Sequence, residues 1–230
     1  MYSIHRLHHA TVRLSGQYNP PSFEDTRINV FGYLVLSDQI AMVIDTGIGS
    51  GNEYVDRAFE PEITSIEEQL SRFGVSTKDV TIVVNSHLHF DHCGNNRLFS
   101  NADIVVQDLE LRAARSKNYT VSDWYDYEGA RLTAVSGEKE IAEGISVFHT
   151  PGHTPGHQSV QIAMGSGQVL IAAQAAFTAD EYRRGGDPEV QSHEGLEASY
   201  TESLAQLRSM GALRILFSHD DTELEQTSGT

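Results

Sequence analysis

The chain has 230 residues, 39% of them hydrophobic, enough for one sizeable core without cross-links. A formal net charge of −16 excludes the basic face that nucleic acid demands and disfavours an anionic membrane surface. The single cysteine, Cys93, excludes an internal disulfide and fits a reducing compartment, so the expected location is the cytoplasm.

The opening "MYSIHRLHHATVRL" lacks the apolar stretch of a secretion signal, and no run nears the ~18 apolar residues of a membrane span. "INVFGYLVL" (Ile28–Leu36) and "IAMVID" (Ile40–Asp45) read as adjacent strands joined by the turn "SDQ". The glycines of "DTGIGSGN" then break the pattern. "SIEEQLSRFG" (Ser65–Gly74) opens on a serine cap, closes on glycine and carries apolar residues at helical spacing. "VTIVV" (Val80–Val84) is a buried strand, "ADIVVQ" another, and "DLELRAARS" the helix after it. In the second half "GISVFHT", "HQSVQIAM" and "QVLIAAQ" are strands, "EASYTESLAQLRSMG" is an amphipathic helix, and "LRILFSHD" is a last strand ending on His219. Strands and helices mix throughout, which predicts an α/β or layered α+β class. The polar segment Thr178–Leu196 reads as a long surface loop. One domain over residues 1–219 is expected, with the polar tail 220–230 disordered.

Chemistry concentrates in "VNSHLHFDHCGN" (Val84–Asn95), where His87, His89, Asp91 and His92 fall within one short stretch. Their spacing fits neither one strand face nor one helix face, so a loop at the end of Val80–Val84 must turn them inward. Clustered imidazoles would repel one another when protonated, and a bound cation is the simplest reason to gather them with a carboxylate. "VFHTPGHTPGHQSV" sets His149, His153 and His157 four apart in a segment whose prolines and glycines forbid a helix. His153 lies in its tight loop, and His219 at the end of a strand. Ligands at strand ends suit an open site on a layered sheet.

"SHLHFDH", "TPGHTPGH" and the late "FSHD" together resemble the metallo-β-lactamase-fold hydrolase superfamily, and "TIVVNSHLHFDHCGNNRLFSNADIVVQDLELRAA" resembles its N-acyl-homoserine lactonase branch. The resemblance covers about Val30 to His219 and implies an αβ/βα sandwich. It assigns His87, His89 and His153 to one metal, and Asp91, His92 and His219 to a second. It makes Asp45 of "VIDTG" a carboxylate that orients a ligand histidine, although an aspartate after a strand also serves a turn. Two positions depart from the family pattern. Gln174 stands where an aspartate bridges the two metals and is at best a weak ligand there. Phe177 stands where lactonases often carry a tyrosine that hydrogen-bonds the substrate carbonyl.

The implied cofactor is zinc, in one or two ions with a weaker second site, with manganese or iron as other candidates. The implied reaction opens a lactone or related ester by attack of metal-bound hydroxide, with Asp91 moving the proton. Thioester or amide hydrolysis uses the same core. A dioxygenase on this fold would need the bridging aspartate as an iron ligand, and a catalytically weak or silent metal-binding homologue follows if Gln174 and Phe177 disable the centre. Phe59, Trp124 and Tyr125, with Phe177, are candidates for an apolar substrate pocket. The implied partner is a small ester or lactone, and a homodimer is the expected assembly.

Overall fold

The structure is a computed structural model that describes residues 1–14 and 26–225. Its strands and helices, numbered in chain order, begin with β1 (Ser3–Leu14), β2 (Thr26–Leu36), β3 (Ala41–Ile44), α1 (Glu53–Phe59), β4 (Glu62–Ile63), α2 (Ile66–Ser71) and β5 (Ile82–Val84). There follow α3 (Phe90–Cys93), β6 (Asp103–Gln107), α4 (Asp108–Ala113), α5 (Ser122–Tyr125), β7 (Leu132–Val135), β8 (Lys139–Ala142) and β9 (Ile145–His149). The last are β10 (Gln158–Met164), β11 (Gly167–Ala173), α6 (Ala179–Arg184), α7 (Pro188–Gln191), α8 (Glu197–Ser209), β12 (Arg214–Phe217) and β13 (Leu224–Glu225). The architecture is mixed α/β with two sheets, as the sequence predicts.

Two compact units divide the chain: Tyr2–Val105 with Ala114–Thr133, and Val106–Ala113 with the chain from Ala134 onward. The sheet belonging chiefly to the first runs β4-β1-β2-β3-β5-β6-β7. β1, β2 and β3 pair antiparallel, whereas β3, β5 and β6 run parallel. Leu34 and Val43 from this sheet pack with Leu70 of α2 and with Phe99 in one apolar cluster. Serine caps α2 as expected: Ser65 Oγ accepts from the Glu68 amide at 3.2 Å. β1 is absent from the sequence reading because its alternation breaks. The register slips between His8 and Ala10, so His9 is the extra residue of a β-bulge, and inward positions shift from Leu7 to Ala10, Val12 and Leu14.

The second sheet runs β13-β12-β11-β10-β9-β8, antiparallel except for the parallel pair β11–β12. One apolar cluster joins Leu170 and Phe217 of this sheet to Tyr182 of α6 and to Tyr200, Leu204 and Leu207 of α8. Each fully buried leucine there contributes about 1.5–3 kcal/mol.

The segment expected as a loop over Thr178–Leu196 instead holds α6 and α7. Thr178 Oγ1 accepts from the Glu181 amide, Gly185 closes α6 in the left-handed conformation, and Pro188 opens α7 at a position where its missing N–H costs nothing. Capping chemistry, hidden under a polar composition, decides that segment. Of the expected tail, Leu224–Glu225 pairs with β12, and residues 226–230 lie outside the described residues. No helix among the described residues is long and apolar enough to cross a membrane.

Candidate functional site

Each unit presents polar side chains at the carboxyl ends of a parallel strand pair. In the first, β3 ends into Asp45 and β5 into Asn85–His87, and the Asp45 amide donates to Val84 O at 2.8 Å. Parallel strands lined up at their carboxyl ends leave their exit loops side by side, a recurrent setting for ligands.

Asp45 organises this group. Its φ of 58° is left-handed, and it is nearly fully buried. Its carboxylate accepts from the Ser86 amide at 2.7 Å, Ser86 Oγ at 2.8 Å and His92 Nδ1 at 2.9 Å. Two histidine tautomers follow. Ser86 spends its proton on Asp45, so its oxygen accepts from His87 Nδ1–H at 3.1 Å. His92 likewise donates Nδ1–H to Asp45. Both rings therefore turn Nε2, with its lone pair, away from the hydrogen bond that orients them. His87 Nε2 lies 3.1 Å from His89 Nδ1, and the His87 and His92 ring centroids are 4.0 Å apart. His92 Nε2 lies 3.4 Å from Asp91 Oδ2.

Burial disfavours charge on His92, but Asp91 and Asp45 on either side outweigh it and push its pKa up to about 10. The pair of carboxylates thus demands a positive charge at this point. A proton or a bound cation meets that demand. Buried amides complete the frame: Asn85 Nδ2 donates to His92 O at 3.1 Å, and Asn96 Nδ2 to Asn85 Oδ1 at 2.8 Å.

The candidate pocket residues of this unit pack within it. Phe59 is buried with its ring 4.3 Å from Phe90, and Tyr125 is buried as well. Trp124 lies against Gly49, and Tyr119, from the same aromatic stretch, sits 4.9 Å from the His89 ring.

In the second unit, β11 leads into Gln174 and β12 into Ser218–His219, again a parallel pair. The Phe177 ring stacks on His219 at 4.6 Å and 20°. Gln174 is 8% exposed and its Oε1 is buried with no hydrogen-bond partner among the described residues, an acceptor suited to a cation. His153 projects from the loop between β9 and β10. That loop is clamped by Glu110, a fully buried carboxylate on α4 that accepts from Thr154 Oγ1 at 2.7 Å and the Gly156 amide at 3.1 Å. Gly156 is obligatory: a Cβ there would sit 2.1 Å from the Glu110 nitrogen. The Phe177 amide donates to Glu181 Oε2 at 2.7 Å, and Tyr200 donates its hydroxyl to the same carboxylate. Burial raises the Glu181 pKa against those hydrogen bonds.

Sequence reasoning missed Ser86, Glu110 and Glu181, and it reads His157 and His9 as structural or surface histidines without naming a partner. For His157 a signal existed, since "TPGH" occurs twice in a row. For the two buried glutamates none did, because a helix-borne glutamate reads as solvent-facing until its partners are known.

The metallo-beta-lactamase superfamily model matches residues 25–219. Among curated relatives, an N-acyl homoserine lactonase from a Bacillus species is 32% identical over 166 residues, 66% of this chain and 66% of its own length. One from Bacillus thuringiensis is 31% identical over 179 residues, 70% of this chain and 71% of that protein. The matched stretch thus spans about two thirds of these relatives. Among solved structures, a quorum-quenching N-acyl homoserine lactone hydrolase is 26% identical with a TM-score of 0.77, over 95% of this chain and 92% of that one. A probable metal-dependent hydrolase from Staphylococcus aureus shares the fold at 20% identity, with a TM-score of 0.80 over 100% of this chain and 98% of that one. A family match over most of the chain, with the His-x-His-x-Asp-His run at the end of β5, supports one conclusion: the chain belongs to the metallo-β-lactamase superfamily.

Proposed function

We propose that this chain is a metal-dependent hydrolase that opens a lactone or a related ester, with zinc as its cofactor. His87, His89 and His153 would hold one ion, and Asp91, His92 and His219 a second, and Gln174 would add only a weak neutral ligand. The observation that carries the reading is the gathering of His87, His89, Asp91 and His92 just after β5, with Asp45 accepting from His92 Nδ1 at 2.9 Å and so turning its Nε2 toward Asp91. Lactonases among the relatives favour lactone opening over thioester or amide cleavage and over a silent binding role.

Bound zinc would supply Lewis acidity and bring the pKa of water to about 7. The chain's own residues do the rest. Asp45 and Ser86 fix the tautomers of His92 and His87, so that lone pairs face the ion. Asp91 is the group that accepts a proton from water and returns it to the leaving alkoxide. Phe177 holds the His219 ring by stacking and, having no hydroxyl, donates nothing to the carbonyl oxygen. A neutral Gln174 leaves two dications less screened than an aspartate would. Two unit charges 4 Å apart interact by ~4 kcal/mol at an effective dielectric of about 20, so the second ion binds more weakly. The substrate is a small molecule, the single cysteine fits the cytoplasm, and a homodimer is the expected assembly.

The test is elemental analysis of untagged protein, with the same sample assayed against a panel of lactones. About two equivalents of zinc with ring opening is the expected result. No bound metal after reconstitution with zinc, manganese or iron would overturn the reading.

A further inference from the structure

His157 is the second histidine of "TPGHTPGH", fully buried, and the reaction proposed above gives it no part. Its hydrogen bonds can be assigned from one end. Ser159 Oγ donates to Ala172 O at 3.1 Å. With its proton committed there, Ser159 Oγ accepts from Thr150 Oγ1 at 3.0 Å. Thr150 Oγ1, having donated, accepts from His157 Nδ1–H at 2.9 Å, and Thr150 O lies 3.2 Å from the same nitrogen. His157 therefore carries its proton on Nδ1, and Nε2 is left as an acceptor. That acceptor receives the Gln174 amide at 3.2 Å.

The chain of bonds closes on the turn where it began. Ala172 O, where the run ends, also accepts from the Ala175 amide at 3.1 Å, and the Ser218 amide donates to Ala173 O at 3.2 Å. Between them Ala173 is held at φ 53°, a left-handed conformation disfavoured for any residue with a Cβ. A conformation of that kind persists only where its surroundings over-determine it. Here they fix the backbone of Gln174, whose Oε1 is buried with no partner among the described residues.

We propose that His157 is a positioning residue: through a fixed Nδ1–H tautomer it holds the turn that carries Gln174, and so sets the affinity of the second metal ion. The inference rests on the site reading above. It concerns a histidine that holds ligands in place without being one.

The experiment uses full-length protein stripped of metal and titrated with zinc against a chromophoric chelator, comparing wild type, His157→Leu and His157→Gln, with folding checked by circular dichroism. His157→Leu is expected to weaken the second equivalent about tenfold or more, as loss of a ligand-supporting partner does. His157→Gln, whose side-chain oxygen can still accept the Gln174 amide, is expected to stay near wild type. Nitrogen-15 spectra of the wild-type imidazole should show the proton on Nδ1. Should His157→Leu fail to fold, Ser159→Ala cuts the same run at its far end and is expected to weaken the second equivalent. An unchanged zinc curve in the folded variants, or a proton on Nε2, overturns the inference alone. A wild-type chain that takes up no zinc overturns the site reading and this inference with it.

Discussion

Asp45 shows what a single carboxylate can organise. It accepts from Ser86 and His92, and its carbonyl oxygen lies 3.1 Å from His9 Nε2. Asn at this position keeps the left-handed backbone, which asparagine tolerates, but removes the charge and turns an NH2 toward a donor. Asp45→Asn is therefore expected to fold and to bind zinc about 10–100-fold more weakly, as chelator competition would show. His9 gives a separate signature. Its Nε2–H donates to Asp45 O, while Nδ1 is buried with no partner among the described residues. Burial, against the pull of Asp45, lowers its pKa from 6.5 to about 4. The unfolded chain then binds a proton at His9 that the folded chain refuses. The stability this contributes is intact above pH 6.5 and is lost as pH falls through about 4, to the extent of roughly 3 kcal/mol. Urea midpoints between pH 7 and pH 4.5 should fall less in His9→Leu than in wild type.

At the scale of elements, loop and helix hold each other at one crowded contact. Gly156→Ala would drive a Cβ into the α4 backbone, which cannot rotate aside, so a loss of about 2–3 kcal/mol is expected in chemical denaturation. The strands and helices legible in the sequence were apolar runs bounded by turns and helices flanked by them: β2, β3, β5, β6, β9, β10, β11, β12, α2, α4 and α8. Those it hid had a physical reason to hide. The period of β1 is broken by its bulge, α6 is a polar helix specified by its Thr178 and Gly185 caps, and α7 is a single turn opened by Pro188. The four donors after β5 were legible because four such side chains have few other reasons to crowd together. The residues behind them were not, since Ser86, Glu110 and His157 act on partners 41, 44 and 17 positions away.

For the whole molecule, metal and fold are linked through mass action. An ion that binds only the native chain stabilises it by about 2.7 kcal/mol when free ion exceeds its dissociation constant a hundredfold. For a chain of this size that corresponds to a rise of roughly 5–10 °C in melting temperature. Scanning calorimetry with zinc and then with excess chelator should show the difference, and the shift should be smaller in Asp45→Asn.

The bulge in β1 has one further consequence. Removing His9 from the written sequence leaves Leu7 and Ala10 on one face and His8 and Thr11 on the other, an unbroken alternation against β2. In the pairing with β2 the ninth residue has no partner, and its carbonyl instead accepts from the Thr64 amide at 2.8 Å beside β4. It behaves as an inserted letter, spelled into a strand that would read correctly without it, and Gly32 opposite offers the room it occupies, since a Cβ there would sit 2.3 Å from the imidazole. A lineage could gain or lose this prop beneath Asp45 by one codon, leaving the strand's alternation against β2 untouched.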